Sequence, residues 1–271
     1  VSWVLLSNDD GVDSPALVPF ADALERALDL PVHVCVPDGE RSWSGKAVTR
    51  HGTLRLGHLR RGGRLLTTVS GTPADAVQLG LYAAFAQEWG GAPPAAVVTG
   101  INLGFNHGRA FLASSGTVWA AAEAALAGLP AIAVSTGSDD DHAAWLDDAT
   151  GPGSTTAWER VAGAAAAVVR RLTDSTVLAD ADLVSVNLPW GVDEHTPRRV
   201  TSLAPQAYGP LFEPTDVDGE FTFRTRLDID LSLADDGADV HAPAAGVVSI
   251  TPVVLPRSTR PSPDVVAHLE G

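Results

Sequence analysis

Two adjacent carboxylates, Asp9 and Asp10, end the apolar run that opens the chain, VSWVLLSNDDG, and are the first place where the sequence could do chemistry. Paired acids can hold a hard cation or move a proton. They can equally be turn residues, one capping the backbone and the other solvated. On residue types alone the two readings stand even. Three further loops carry groups that could join them. Residues 37–45, PDGERSWSG, present Ser42 followed by Trp43 and Ser44, and taken alone read as a surface connection. Residues 100–108, GINLGFNHG, set Asn102, Asn106 and His107 among three glycines, where backbone can approach a ligand and amide oxygens can act as neutral ligands. Residues 114–118, SSGTV, open a helix with hydroxyls and a glycine. That is an anion cradle, where free N–H groups meet the helix dipole, or a simple N-cap.

The elements that must position these loops follow from hydrophobic periodicity. Residues 3–6 read as a strand buried on both faces, and residues 15–28 as an amphipathic helix on Leu17, Phe20, Ala21, Leu24 and Leu28, with Ser14 as N-cap and Pro15 at its first position. A second strand at 31–36 completes a βαβ unit, which implies a parallel pair with a right-handed crossover. Segments 47–56 and 64–70, split by Gly62 and Gly63, form a hairpin pattern. Thr72, Pro73 and Asp75 are a helix start leading into 76–88, and capping explains them fully. Further strands fall at 95–99, 131–135 and 183–188, and further helices at 119–127 and 157–172. Residues 136–155 read as a mobile surface loop in which Asp139, Asp140 and Asp141 are a solvated charge run.

This alternation predicts an α/β fold: a Rossmann-like, mostly parallel sheet with helices on both faces, plus a C-terminal β-rich extension. Ligands bind outside the carboxyl ends of such strands, the edge from which the Asp9–Asp10, Ser42 and Asn102 loops leave. Beyond Pro189 the texture changes to short strand-like pieces at 200–204, 221–227 and 246–252, with a short helix from Asp264. The expected organisation is an α/β catalytic core over 1–190 and an extension over 191–271. The extension is too broken for a core of its own, so it packs on the body or reaches to another subunit.

The chain has 271 residues, a length suited to one large α/β domain, and no apolar run of the eighteen or so residues that a membrane span needs. A formal net charge of -15 argues against a nucleic-acid polymer or an anionic membrane as partner. A small phosphorylated ligand stays open if a metal, helix N-termini or backbone amides supply local positive potential. Cys35, the only cysteine, reads as a small buried hydrophobe. Without a secretory pattern at its start, the chain is expected in the cytoplasm. Two carboxylates with neutral hydroxyl and amide oxygens make an all-oxygen set suited to Mg²⁺ or Mn²⁺, while zinc would call for paired His or Cys.

Seven segments, SNDDG (7–11), PDGERS (37–42), SGTPAD (70–75), TGINLGFNHG (99–108), SGTV (115–118), VNLP (186–189) and VSITP (248–252), carry a resemblance. Together, and in this order, they resemble the SurE family of metal-dependent 5'/3'-nucleotidases. The resemblance implies one divalent cation held by Asp9, Asp10, Ser42 and Asn102. It assigns the substrate phosphate to Asn8, Asn106 and the cradle of Ser115, Gly116 and Thr117. It implies a small phosphorylated substrate, nucleoside monophosphates or in some members short polyphosphate. The mechanism expected on such a set is attack by a metal-activated water, with one of Asp9 and Asp10 as general base and the other a pure ligand. It also implies a homodimer or homotetramer built through C-terminal arms. The chain departs from the family pattern at Leu103, where Arg is common, at Ala110, near a common Asp, at the longer join of Ser114 to Ser115, and at Trp43 and Ser44. These departures bear on the substrate pocket and keep a second reading open, a metal-dependent nucleotide-binding or regulatory protein without turnover.

Overall fold

The computed structural model describes residues 2–138, 142–224, 231–259 and 261–270. The expected charge run at Asp139–Asp141 and residues 225–227 of an expected strand lie outside them. The chain runs β1 (Val4–Ser7), α1 (Leu17–Leu28), β2 (Val32–Pro37), β3 (Leu56–Arg61), β4 (Arg64–Val69), α2 (Pro73–Leu79), β5 (Ala96–Leu103), α3 (Gly108–Ser114), α4 (Gly116–Leu126) and β6 (Ala131–Gly137). It continues through α5 (His142–Thr150), α6 (Thr155–Thr173), α7 (Val177–Asp180), β7 (Leu183–Pro189), β8 (Arg198–Val200), β9 (Phe212–Pro214), β10 (Phe221–Phe223), α8 (His241–Ala244), β11 (Val248–Val253) and α9 (Pro263–Glu270).

Nine strands form one sheet in the order β3-β4-β2-β1-β5-β6-β7-β11-β8, and β9 and β10 form a separate antiparallel pair. From β4 to β7 every neighbouring pair is parallel. The antiparallel hairpin partner β3 extends one edge, and at the other β11 runs antiparallel to β7. Helices cover both faces, as the sequence predicts. On one, α1 and α6 pack together over Leu6, Val34, Val98 and Val186. On the other, α2 and α4 pack over Leu5, Val97 and Ala133. The alanines Ala120, Ala121, Ala122 and Ala124 are all buried, so α4 is wrapped by protein rather than amphipathic, which suits a helix seated close against strands.

The chain steps outward from β1 to β2 and β4, then returns to β1's other side for β5, β6 and β7. The strand order therefore reverses between β1 and β5, which opens a crevice at their carboxyl ends.

Several boundaries differ from expectation for identifiable reasons. Helix α1 starts at Leu17 without a side-chain cap, because residues 14–16 make a turn in which the Leu17 N–H reaches the Ser14 carbonyl. The Ser14 hydroxyl is buried and caps nothing. Strand β5 runs past Thr99 to Leu103 because an irregularity between Thr99 and Asn102 restores pairing of Asn102 with Ser135 on β6. The expected strand at 47–56 is confined to its last residue, and of the expected loop at 136–155 the described residues 136–137 finish β6 and 142–150 form α5, whose Trp145 and Ala149 are buried. Cys35 is buried and free, and burial pushes its thiol up to about 12.

Candidate active site

Asp9 and Asp10 leave β1 at the point where the sheet's strand order reverses. Their turn is tight. Asn8 is fully buried and holds it from both sides, its Oδ1 accepting the Gly11 N–H (3.1 Å) and its Nδ2 donating to the Gly11 carbonyl (2.9 Å). Gly11 sits at φ 80°, and a Cβ there would come within 2.5 Å of Gly39, so glycine is required where the two loops touch. The Arg41 N–H donates to the Asp9 carbonyl (2.7 Å), which ties the Ser42 loop to the same strand end. Ser42 itself is exposed and donates to Glu40 (2.8 Å).

The Asp9 carboxylate lies against the N-terminus of α4. Its Oδ1 accepts the Thr117 hydroxyl, and the same hydroxyl lies 3.3 Å from Asn102 Oδ1. A hydroxyl has one proton, and Asp9 holds the closer claim, so the Asn102 carbonyl oxygen keeps its lone pairs. The Asn102 amide is fixed by donating to the Gly104 carbonyl (2.7 Å). Asp10 Oδ2 accepts the Leu103 N–H at 3.2 Å. Gly116 sits where the groups converge: a Cβ there would lie 2.7 Å from Asp9 Oδ2 and 2.8 Å from Ser44 Oγ. Ser115 caps α4 by accepting the Val118 N–H (3.0 Å), so the cap reading and the cradle reading describe the same residues.

Electrostatics mark the pair. Burial pushes Asp9 up to about 6, against hydrogen bonds from the Thr117 hydroxyl and N–H, and the charge of Glu40 adds to the rise. Burial and then the charge of Asp9 push Asp10 well above the usual carboxylate range. Two acids with so few donors favour a proton or a cation between them.

Asn106 lies at the ends of the next two strands, its N–H donating to Asn187 Oδ1 on β7 (2.8 Å) and its Nδ2 to Ser135 Oγ on β6 (2.9 Å). Behind it Asp239 accepts the N–H groups of Gly108 (2.9 Å) and Ala204 (3.0 Å), fastening the loop to the C-terminal region. His107 is half-buried, with both ring nitrogens out of reach of solvent and neither hydrogen-bonded among the described residues, and this burial lowers it to about 4. Sequence reading quoted Glu40 and Asn187 only inside motifs, with no role of their own, and did not connect Ser135 or Asp239 to the site, which they reach from distant parts of the chain.

Among the described residues no cluster of three or more His, Cys, Asp or Glu side chains could hold a metal, so the charged donors are the Asp pair and the rest are neutral oxygens. No described helix is long and apolar enough to cross a membrane. Fold and site together define an α/β protein with a paired-carboxylate crevice at the reversal point of a parallel sheet. The family model for survival protein SurE matches residues 4–210, and the chain belongs to that family. It is 33% identical to the 5'-nucleotidase SurE of Methanocella arvoryzae over 93% of this chain and 91% of that one. It is 35% identical to the 5'-nucleotidase SurE of Geobacter sulfurreducens over 93% and 87%. The crystal structure of the SurE protein from Aquifex aeolicus superposes with a TM-score of 0.72 at 28% identity, covering 99% of each chain.

Proposed function

We propose that the protein is a divalent-metal-dependent phosphomonoesterase that hydrolyses nucleoside 5'- and 3'-monophosphates. The observation that carries this reading is the Asp9–Asp10 pair at the reversal point, Asp9 buried and Asp10 half-buried, with hydrogen bonds too few to hold both charges. The donor set fits a hard cation. Asp9, Asp10, Asn102 and the Ser42 hydroxyl are all oxygen ligands, the ligand type that Mg²⁺ and Mn²⁺ prefer. When bound, such an ion would polarise a phosphoryl oxygen and acidify a water. The chain's own part is to orient and to hold protons. One of Asp9 and Asp10 would take the proton of that water while the other stays a pure ligand. At the first turn of α4 the Ser115 N–H is held by the Phe111 carbonyl and the Thr117 N–H by Asp9, so the N–H offered to a phosphate between them is that of Gly116, and Asn8 and Asn106 keep the two flanking loops in place.

The 5'-nucleotidase names of the curated relatives favour a nucleotide substrate. The division into a catalytic core over 1–190 and an assembly arm over 191–271 belongs to the same proposal. Exposed Phe212, Phe221 and Phe223 on β9 and β10 support an arm that pairs with a second copy, as a homodimer or homotetramer. The cytoplasm is the proposed compartment. The test is phosphate release from a panel of nucleotides, ribose 5-phosphate and polyphosphate, after EDTA treatment and after return of Mn²⁺ or Mg²⁺. Turnover of a nucleotide that depends on the returned ion is expected. Equal turnover in EDTA would overturn the metal, and tight nucleotide binding without phosphate release would replace the enzyme by a binding or regulatory protein on the same fold.

A further inference from the structure

We propose that Trp43 is the platform on which the nucleobase of the substrate stacks, an inference that rests on the phosphatase reading of the neighbouring site. Trp43 follows Ser42 and precedes Ser44, whose hydroxyl borders Asp9 at Gly116. That hydroxyl is buried and has no hydrogen-bond partner among the described residues. The Gly45 N–H donates to the Ser114 carbonyl (3.0 Å), fastening the loop beside the start of α4. The indole is therefore borne one residue from the carboxylate crevice.

Two features separate this tryptophan from an ordinary surface ring. Its φ is 60°, in the left-handed region that bulky residues rarely enter. Such strain persists where the surroundings impose it, and it gathers at ligand clamps. Here the surroundings are rings: Phe111 on α3, Tyr208 and Phe223 on β10, with centroids 5.9, 5.6 and 5.1 Å from Trp43. The interplanar angles are 66°, 53° and 69°, so none of the three lies flat against the indole. With three rings fixing it, 43% of the residue is still exposed. A rigid, part-exposed indole beside a phosphate site matches what a base needs, since every base has a π-face and stacking asks only for a flat apolar partner. A two-ring indole overlaps most with a purine. Phosphate at α4 and a purine on Trp43 would span the substrate from end to end.

The competing role is structural, with Trp43 serving only to anchor Tyr208 and Phe223 of the C-terminal region. AMP and ribose 5-phosphate separate the two, because they differ in the base alone. Trp43→Asn keeps a residue that tolerates positive φ and removes the ring. Trp43→Phe keeps a ring. The platform predicts that Trp43→Asn raises KM for AMP about 10-fold, within the range of base–aromatic stacking, with KM for ribose 5-phosphate nearly unchanged. Trp43→Phe should restore most of the difference, and UMP should lose less than AMP. AMP affinity, read by calorimetry in Mn²⁺, should fall in parallel. Equal changes for both esters, or none, overturn the platform and leave the phosphatase intact, whatever happens to the melting temperature. Loss of AMP affinity in Trp43→Asn, in a protein that hydrolyses neither ester, would overturn the phosphatase and leave the platform standing. Wild-type protein that neither binds nor hydrolyses AMP overturns both.

Discussion

Asp75 and the Asp9–Asp10 pair occupy matching ground, each in the connection from the carboxyl end of a parallel-sheet strand to a helix, and the fold treats them in opposite ways. Asp75 is saturated. It accepts the Thr49 N–H (3.1 Å) and hydroxyl (2.7 Å) and the Thr72 N–H (2.9 Å), and it completes a capping box with Thr72 at the start of α2. Burial acts to raise it, yet these hydrogen bonds win and hold its carboxyl below the usual value. Asp9 is buried and Asp10 half-buried in the same kind of place; burial is the largest influence on each, fewer side-chain hydrogen bonds stand against it, and both are raised. A carboxylate whose lone pairs the chain has filled is architecture. One whose lone pairs the chain leaves open is available to a cation or a proton.

The largest effect that would sharpen this contrast is expected at the pair. Asp9→Asn or Asp10→Asn should lower nucleotidase turnover by more than the roughly 10- to 100-fold that removal of an outer partner of a metal ligand costs. In EDTA neither variant should melt below wild type, because each removes a charge that burial and its neighbour already oppose. Addition of Mn²⁺ should raise the melting temperature of wild type and leave the variants unmoved. Near-normal turnover in both would return Asp9 and Asp10 to the status of turn residues.

Next in size is Gly116→Ala. The added methyl would meet Asp9 Oδ2 at 2.7 Å, Ser44 Oγ at 2.8 Å and Asp9 Cβ at 2.8 Å; the two oxygens can swing away, but Cβ takes the end of β1 with it. Displacement of reacting groups by up to an ångström costs about 10- to 100-fold in turnover. The helix should suffer little, since Ala is a better helix former than Gly. A loss of turnover far out of proportion to the fall in melting temperature is the expected outcome, and a lowered melting temperature with turnover kept would mean that Gly116 serves packing alone.

Asp75→Ala should reverse the pattern. It leaves the Thr49 and Thr72 donors without their acceptor, at a cost of about 1–3 kcal/mol. At about 2–4 °C per kcal/mol in a chain of this size, thermal unfolding would show a drop of several degrees. The catalytic constant of the folded fraction should change by no more than a few-fold. A large loss of turnover without a loss of stability would erase the distinction between the two places.

Much of this contrast is legible in the sequence, because both signals are local. Thr72, Pro73 and Asp75 sit at capping spacing, and an apolar run that stops on two acids marks a strand end. The sheet class and the crevice follow from the alternation of elements. What the sequence hides depends on partners far along the chain. Ser135 and Asn187 reach Asn106 across 29 and 81 residues, and no spacing rule connects them. The continuation of β5 to Leu103 is a tertiary effect, decided by pairing of Asn102 with Ser135 after the bulge. Helix α5 is obscured by its Asp- and Thr-rich surroundings, although Trp145 and Ala149 carry a buried face at i, i+4 spacing. Ser14 has the residue type of a cap, but the turn that follows moves the helix start beyond its reach.

The smallest expected effect is the one that sets the two places against each other in a single titration. Asp9, raised from 3.8 to about 6, binds its proton more tightly folded than unfolded. Its contribution to stability is complete below 3.8 and is lost as pH rises through about 6. Asp75, lowered, contributes in the opposite sense: its share is present above 3.8 and is lost as pH falls toward its folded value. Wild type in EDTA should therefore carry an acid limb from Asp75 and, above it, a loss with rising pH from Asp9 and Asp10, which His107, lowered to about 4, opposes over the same range. The difference between wild type and Asp9→Asn isolates the Asp9 share, a slope between about pH 4 and about 6 with the acid limb spared, and the difference for Asp75→Asn does the converse. Mn²⁺ should erase the Asp9 limb in wild type, because a bound cation takes the place of the proton. Urea unfolding at half-unit pH intervals reads each slope directly. A difference between wild type and Asp9→Asn without slope from about pH 4 to about 6 would show that Asp9 takes up no proton there, and the starved carboxylate would then lose its place as the counterpart of the saturated one.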